Sequence, residues 1–187
     1  MPLPSPTVIA IAFLLFEATI SLTRRPLPNA QGKDHGSFQL IWIVITLAIV
    51  LGVWAGIAVP AARLPHAEAI YPCGLALFGL GAVLRAWSIH VLGRFFTVQV
   101  AIASDHRLVE DGPYRLLRHP SYTGSLMMFV GYLLCHGNAL TLAIVLASVL
   151  AVFVRRIHIE EAALAETFGD AWRAYAQRTW RLVPFVY

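Results

Sequence analysis

The chain has 187 residues, of which 58% are hydrophobic and only 13% charged, about half the charged share of a soluble domain. A mean hydropathy of +0.70 excludes a disordered chain, a coiled coil and a disulfide scaffold, and a soluble globule of this size cannot hide so much apolar surface. The formal charge of +4 comes from 13 Arg and one Lys, and the positive-inside rule accounts for it better than nucleic-acid binding does. Cys73 and Cys135 both lie in apolar runs and give neither a metal spacing nor a disulfide framework.

The first apolar run is Thr7–Leu22, slightly short for a bilayer core and carrying Glu17, which should face the bundle or an interface. Met1–Pro6 holds no Lys or Arg, so the run reads as a span and not as a cleaved signal. A loop with Arg24, Arg25 and Lys33 follows. The second run, Phe38–Val59, carries Gly52 and Gly56 four apart, which permits close helix approach, and Pro60 ends it. The third, Ala69–Leu92, holds Arg85, either a functional charge or one that snorkels or pairs.

From Gly93 to His119 the chain is too polar to span and is the first place to look for a site. The fourth run, Tyr122–Leu134, and the fifth, Ala139–Val154, are joined by a turn short enough to make an antiparallel hairpin, and the fourth looks short for a full span. The tail from Arg155 is polar with a helical period. The fold expected is all-α: a polytopic membrane helix bundle of about five transmembrane helices, in a single domain over residues 1–187. Five spans put 12 basic residues on one side and Arg63 alone on the other, which places the C-terminus and both polar segments in the cytoplasm.

Two clusters carry the chemistry. One runs from His106 to Gly124 and the other from Arg155 to Tyr175. Arg156 and Glu160 are four apart and share a helix face, and the hairpin brings His119 and Tyr122 near them. Taken alone, each cluster also fits turn chemistry, helix starts and lipid head-group contacts. Together they predict a pocket at the membrane surface suited to an amphiphilic substrate and a polar cofactor.

The string Leu108-Val109-x-x-Gly112-Pro113-Tyr114, then Arg118-His119-Pro120-x-Tyr122-x-Gly124, then Glu160-Glu161, Phe168-Gly169, Tyr175 and Pro184, resembles the isoprenylcysteine carboxyl methyltransferase family and the related phospholipid N-methyltransferases. The resemblance covers roughly residues 75–187. It divides the domain into N-terminal spans over 1–70 and a methyltransferase-like catalytic part over 71–187. It implies an integral membrane enzyme using S-adenosyl-L-methionine, with the cofactor pocket covered by the tail and membrane lipids around it. It also implies a lipophilic or prenylated acceptor. Carried over by position, Gln99, His106, Leu108, Val109, Tyr114, His119, Pro120, Ser121, Tyr122 and Glu160 would touch the cofactor, and Arg156 would face the methyl acceptor. In the family the stretch before Glu160 is often more acidic, whereas here it reads His158-Ile159.

These residue types suit the chemistry. Glu160 can bind the cofactor's amino group, and His119 or a helix N-terminus its carboxylate. The faces of Tyr114 and Tyr122 attract adenine or a sulfonium cation. Methyl transfer is an in-line displacement that needs alignment and no mandatory general base. A carboxylate acceptor would be oriented bidentately by Arg156. Gly79-Leu80-Gly81 lacks the third glycine of a dinucleotide loop and reads as helix packing. No histidine spacing suggests a metal. The competing functions are an NADPH-dependent membrane reductase of the sterol-reductase type, which the short tail disfavours, and a non-catalytic lipid-binding membrane protein.

Overall fold

The computed structural model describes residues 3–24, 31–32, 34, 36–99, 101–102, 105 and 107–187. Six helices carry the fold: α1 (Pro6–Thr23), α2 (Ser37–Ala58), α3 (Ala67–Leu92), α4 (Pro120–His136), α5 (Ala139–Phe168) and α6 (Asp170–Gln177). The only strands among the described residues are β1 (Gln31–Gly32) and β2 (Ala101–Ile102), a two-residue antiparallel clasp pairing Gln31 with Ile102.

Four helices, α1, α2, α3 and α5, are long and apolar enough to cross a membrane. Their outward faces are bare apolar side chains, Leu15 on α1, Trp54 and Ile57 on α2, Val83 on α3, each more than half exposed. Such a surface is unstable in water and matches lipid. The fourth helix in order, α4, has 17 residues and so spans about 25 Å, short of the full hydrocarbon core.

The helix ends follow local chemistry. Pro6 and Pro120 open α1 and α4, where the missing N–H has no intrahelical partner to lose. Asn138 caps α5 by accepting from the Thr141 N–H at 3.0 Å. Gly137, at φ 74°, makes the turn between α4 and α5 in a region that side-chain-bearing residues avoid. The outer ends meet there: the Leu64 N–H donates to the Gly137 carbonyl at 2.8 Å, and Arg63 bridges Asn138. At the other end the Arg24 guanidinium donates to the Gly93 carbonyl at 3.1 Å, so the α1–α2 loop and the polar segment after α3 share one face.

The tightest seam joins α3 to α4. A Cβ on Gly74 would lie 2.8 Å from the Gly131 carbonyl oxygen, and one on Gly81 would lie 2.6 Å from that of Gly124. Two glycine pairs seven residues apart on both helices thus let the backbones touch, which is how helices associate when lipid removes the hydrophobic drive. Gly52 and Gly56 let α2 close on the side chains of Val145 and Thr141 of α5 and of its cap Asn138, as their spacing leads one to expect. Helices α4 and α5, although sequential, pack mainly on these other partners, and a cleft opens between the two pairs. Met128, Phe129, Leu133, Val145, Val149 and Phe153 form the buried core beside it, closed by Phe13 of α1.

Candidate active site

A cavity of about 370 Å3 occupies that cleft. Its deep part is apolar, walled by Phe13, Ile41, Ile45, Ile49, Phe129 and Val145 of α1, α2, α4 and α5. Its mouth is polar, formed by the segment after α3, the start of α4 and the extramembrane end of α5. α6 closes over it because Gly169, at φ 52°, ends α5 in a sharp turn. Trp172 and Tyr175 then bury their rings, and the Tyr175 hydroxyl donates to the Tyr114 carbonyl at 2.8 Å.

Of the residues singled out in the sequence, Gln99, Leu108, Val109, Tyr114, His119, Ser121, Tyr122, Arg156 and Glu160 all line this cavity. Pro120 is buried in the first turn of α4 and sets its start. His106 lies outside the described residues, as do Arg25 and Lys33 of the basic loop.

Glu160 is the hub of the mouth. Its Oε1 accepts from the Tyr122 hydroxyl at 2.6 Å and from Arg156 Nε at 3.0 Å, and its Oε2 lies 3.5 Å from His119 Nδ1. At 23% exposure it is the carboxylate of this cluster open to the cavity. Its neighbour Glu161 points elsewhere, since successive helix residues turn by about 100°. It takes His119 Nε2 at 3.3 Å, Arg118 at 3.2 Å and both Arg181 Nε and Arg181 Nη2, the latter at 2.9 Å. His119 is therefore clamped between two carboxylates. Burial pushes its pKa down, but the hydrogen bonds to Glu160 and Glu161 outweigh burial, and the net shift is upward.

The tail is strapped over this clamp. The Arg118 N–H donates to the Trp180 carbonyl at 2.7 Å, the His119 N–H to that of Arg181 at 3.1 Å, and the Thr123 hydroxyl to that of Leu182 at 2.8 Å. Burial raises the pKa of the Tyr114 and Tyr175 hydroxyls, so both stay neutral and act as donors.

Arg156 is 2% exposed and every one of its nitrogens is engaged. Nε donates to Glu160 and, at 3.2 Å, to the Tyr122 hydroxyl. Nη1 donates to Asp34 and Ser37, and Nη2 to the Val98 carbonyl at 2.9 Å. The guanidinium thus ties the α1–α2 loop, the polar segment and the hairpin into one knot.

Several residues of the site are not readable as such from the sequence. Asp34 caps α2, accepting from the Phe38 N–H at 3.0 Å, while pairing with Arg156. Its position three residues before Ser37 is a capping signal but says nothing of a distant arginine. Glu17 and Arg85, each a lone charge in an apolar run, pair with each other at 2.7 Å. Their opposite signs are the clue the sequence offers. Among the described residues no group of three His, Cys, Asp or Glu side chains is placed to hold a metal ion.

With this geometry in view, comparison with known proteins gives a consistent result. The phospholipid methyltransferase family matches residues 69–171, more than half of the chain. The chain belongs to that family. It is 41% identical over 118 residues to protein-S-isoprenylcysteine O-methyltransferase B of Arabidopsis thaliana, covering 60% of this chain and 58% of that one. It is 39% identical over 116 residues to protein-S-isoprenylcysteine O-methyltransferase of Tribolium castaneum, covering 60% and 41% of the two. Among solved structures it resembles the eukaryotic intramembrane Ras methyltransferase ICMT, with a TM-score of 0.56 and 29% identity over 81% of this chain and 53% of that one. The chain therefore spans between about two-fifths and three-fifths of the length of these relatives. The family match runs through α3, α4 and α5 and ends at the start of α6, and family and fold agree on a multi-pass membrane bundle.

Proposed function

We propose that this chain is a membrane methyltransferase that uses S-adenosyl-L-methionine to methylate the carboxylate of a prenylated cysteine at the cytoplasmic face. The observation that carries the reading is one cavity with two characters: a carboxylate-bearing, aromatic mouth continuous with an apolar channel among membrane helices.

The residues present suit this cofactor. Glu160 offers a carboxylate to an ammonium, and the aromatic rings of Tyr122 and Trp172 line the same mouth, where a cation is favoured. Gln99, Leu108, Val109 and Tyr114 supply the wall for an apolar, hydrogen-bonding base. His119 and the first turn of α4, with Ser121 and Pro120, present donors to an anion. When bound, S-adenosylmethionine supplies an electrophilic methyl group on a sulfonium sulfur. The chain has to align a lipid-borne carboxylate oxygen with that group and keep water out. One carbon–sulfur bond breaks as one carbon–oxygen bond forms, and no proton has to move. α6 and the tail strap exclude water, and the channel along α2 accepts an apolar chain over about 16 Å between Phe38 and Ile49. In this reading residues 1–70 supply the lipid side of the channel and residues 71–187 the catalytic part.

Basic residues crowd the end where α1, α3 and α5 finish, which supports a cytoplasmic mouth and C-terminus. The reductase and the non-catalytic alternatives are not favoured, because the matched relatives are methyltransferases. Calorimetry on detergent-purified protein tests the cofactor. S-adenosylhomocysteine should bind and NADPH should not, and methyl ester should form on a farnesylated cysteine. Binding of NADPH alone would overturn the reading.

A further inference from the structure

The two most exposed large apolar side chains among the described residues sit on no helix. They are Phe185 and Val186 of the tail, at 87% and 79%, against 73% for Ile57, the barest of those on the helices. The Val186 N–H donates to the Val183 carbonyl at 3.1 Å, closing a turn with Pro184 second and Phe185 third. Phe185 has φ 65°, and the third position of such a turn normally takes glycine. A phenylalanine there is strained, and the strain serves to hold an apolar ring outward.

The turn sits at the end of the outer flank of α5. Ala147, Leu150, Ala151, Arg155 and His158 share that exposed face, apolar as far as Ala151 and polar from Arg155. The Tyr187 hydroxyl lies 3.5 Å from His158 Nε2, and the Arg181 guanidinium lies over the Tyr187 ring at 5.0 Å. His158 stands about 28 Å along α5 from its outer end, near the limit of a hydrocarbon core of about 30 Å. Trp180 meets Phe185 with ring centroids 4.7 Å apart. Trp180, Phe185 and Tyr187 thus gather at the depth where aromatic rings line membrane interfaces.

The same short segment is the strap: the carbonyls of Trp180, Arg181 and Leu182 hold Arg118, His119 and Thr123. We propose that the tail tip is a membrane-seated foot: Phe185 and Val186 enter the lipid leaflet on the mouth side, and that seat holds the strap over the His119 clamp. The partner is a phospholipid surface, because the tip continues the flank of α5 that lipid already covers. Arg155 on that flank is exposed, makes no ion pair among the described residues, and faces the lipid phosphates. The inference stands on membrane crossing alone, whichever cofactor the mouth binds.

The test uses the full chain in phosphatidylcholine nanodiscs that hold one chain each. Nitroxide labels are placed through Val186→Cys, Val83→Cys and Arg173→Cys in a Cys73→Ser background, Cys135 being buried. Val83 is exposed on the membrane helix α3, and Arg173 is exposed on α6 outside the spans. Oxygen dissolves in lipid and a nickel chelate stays in water, so the ratio of their collisions with the label reads immersion. At 186 the ratio should stand several-fold above that at 173, toward that at 83. A ratio equal to that at 173 overturns the foot. Spin–spin broadening at 186 in discs with two chains, absent with one, assigns the tip to a second copy and also overturns it. Val186→Asp tests the hold on the strap, because an aspartate costs a tip in water nothing and is expelled from lipid. In that variant the Arg118, His119 and Trp180 amides, which bond the strap, should exchange hydrogen several-fold faster than in the wild type. Unchanged exchange overturns the proposal. If Val186→Asp does not fold, the labels at 186 and 173 decide it by themselves.

Discussion

Gly79 and Gly81 lie two residues apart on α3 and belong to different regions of the molecule. A Cβ on Gly81 would meet the Gly124 carbonyl at 2.6 Å, and a Cβ on Gly79 would meet nothing within 4 Å. The first faces the α3–α4 seam, where backbones touch. The second faces the side that lipid covers, as do the exposed chains of α1 and α2. The seam fixes Ser121, Tyr122 and His119 at the mouth of the cavity. The α1–α2 side has no such backbone contact with α4, and it walls the apolar channel. One side of the cavity is thus built for fixed geometry, and in the proposed function the other would admit an acceptor from the membrane.

The contrast can be broken most severely at the seam. Gly81→Leu should cost more than about 3 kcal/mol, because neither helix backbone can retreat without losing the second glycine contact. The expected outcome is loss of monodisperse protein on size-exclusion chromatography in detergent. Gly79→Leu, on the lipid side, should elute as the wild type does.

The next largest effect lies where the two regions are tied. Arg156→Ala leaves Glu160 and Asp34 without their buried cation, which should cost about 3–5 kcal/mol. Melting temperature and S-adenosylhomocysteine affinity should fall together. Glu160→Gln is milder. If Glu160 holds the cofactor as proposed, the variant removes one charge-assisted contact, about 1.5–3 kcal/mol of binding, while the fold is retained. An unchanged affinity in that variant would place the cofactor elsewhere.

The smallest effect is on pH. His119 has its pKa raised in the folded state, so its contribution to stability is fully present below the unfolded value of about 6.5 and is lost as pH rises through the folded value. The melting temperature should decline on the alkaline side of about pH 6.5 in the wild type, and His119→Gln should flatten that decline.

Much of this architecture is legible in the sequence because lipid imposes a simple code. Apolar runs mark all five long helices, and the interval between Arg156 and Glu160 implies their contact. Gly52 and Gly56 announce a helix contact by spacing alone. The α3–α4 seam is not legible, because a seven-residue interval within one helix acquires meaning only when a second helix carries the same interval in register. Glu17 and Arg85 stand out singly, yet their pairing joins residues 68 apart. The division between Glu160 and Glu161 is hidden for another reason. Adjacent identical residues differ only by the turn of the helix, and one partner of Glu161, Arg181, comes from the tail, which the sequence places only loosely.

The glycine seam also works as an indexing stop. A slip of α3 by one turn, about 5.4 Å, would bring Phe78 and Arg85, or in the other direction Ile70 and Leu77, to the places of Gly74 and Gly81. Every one of these is too large for a backbone contact. The two helices therefore have a single detent, with no neighbouring click to fall into. The height of Arg85 against Ser121 of α4 is set by that detent as a fixed gauge, which a bilayer of changing thickness cannot stretch.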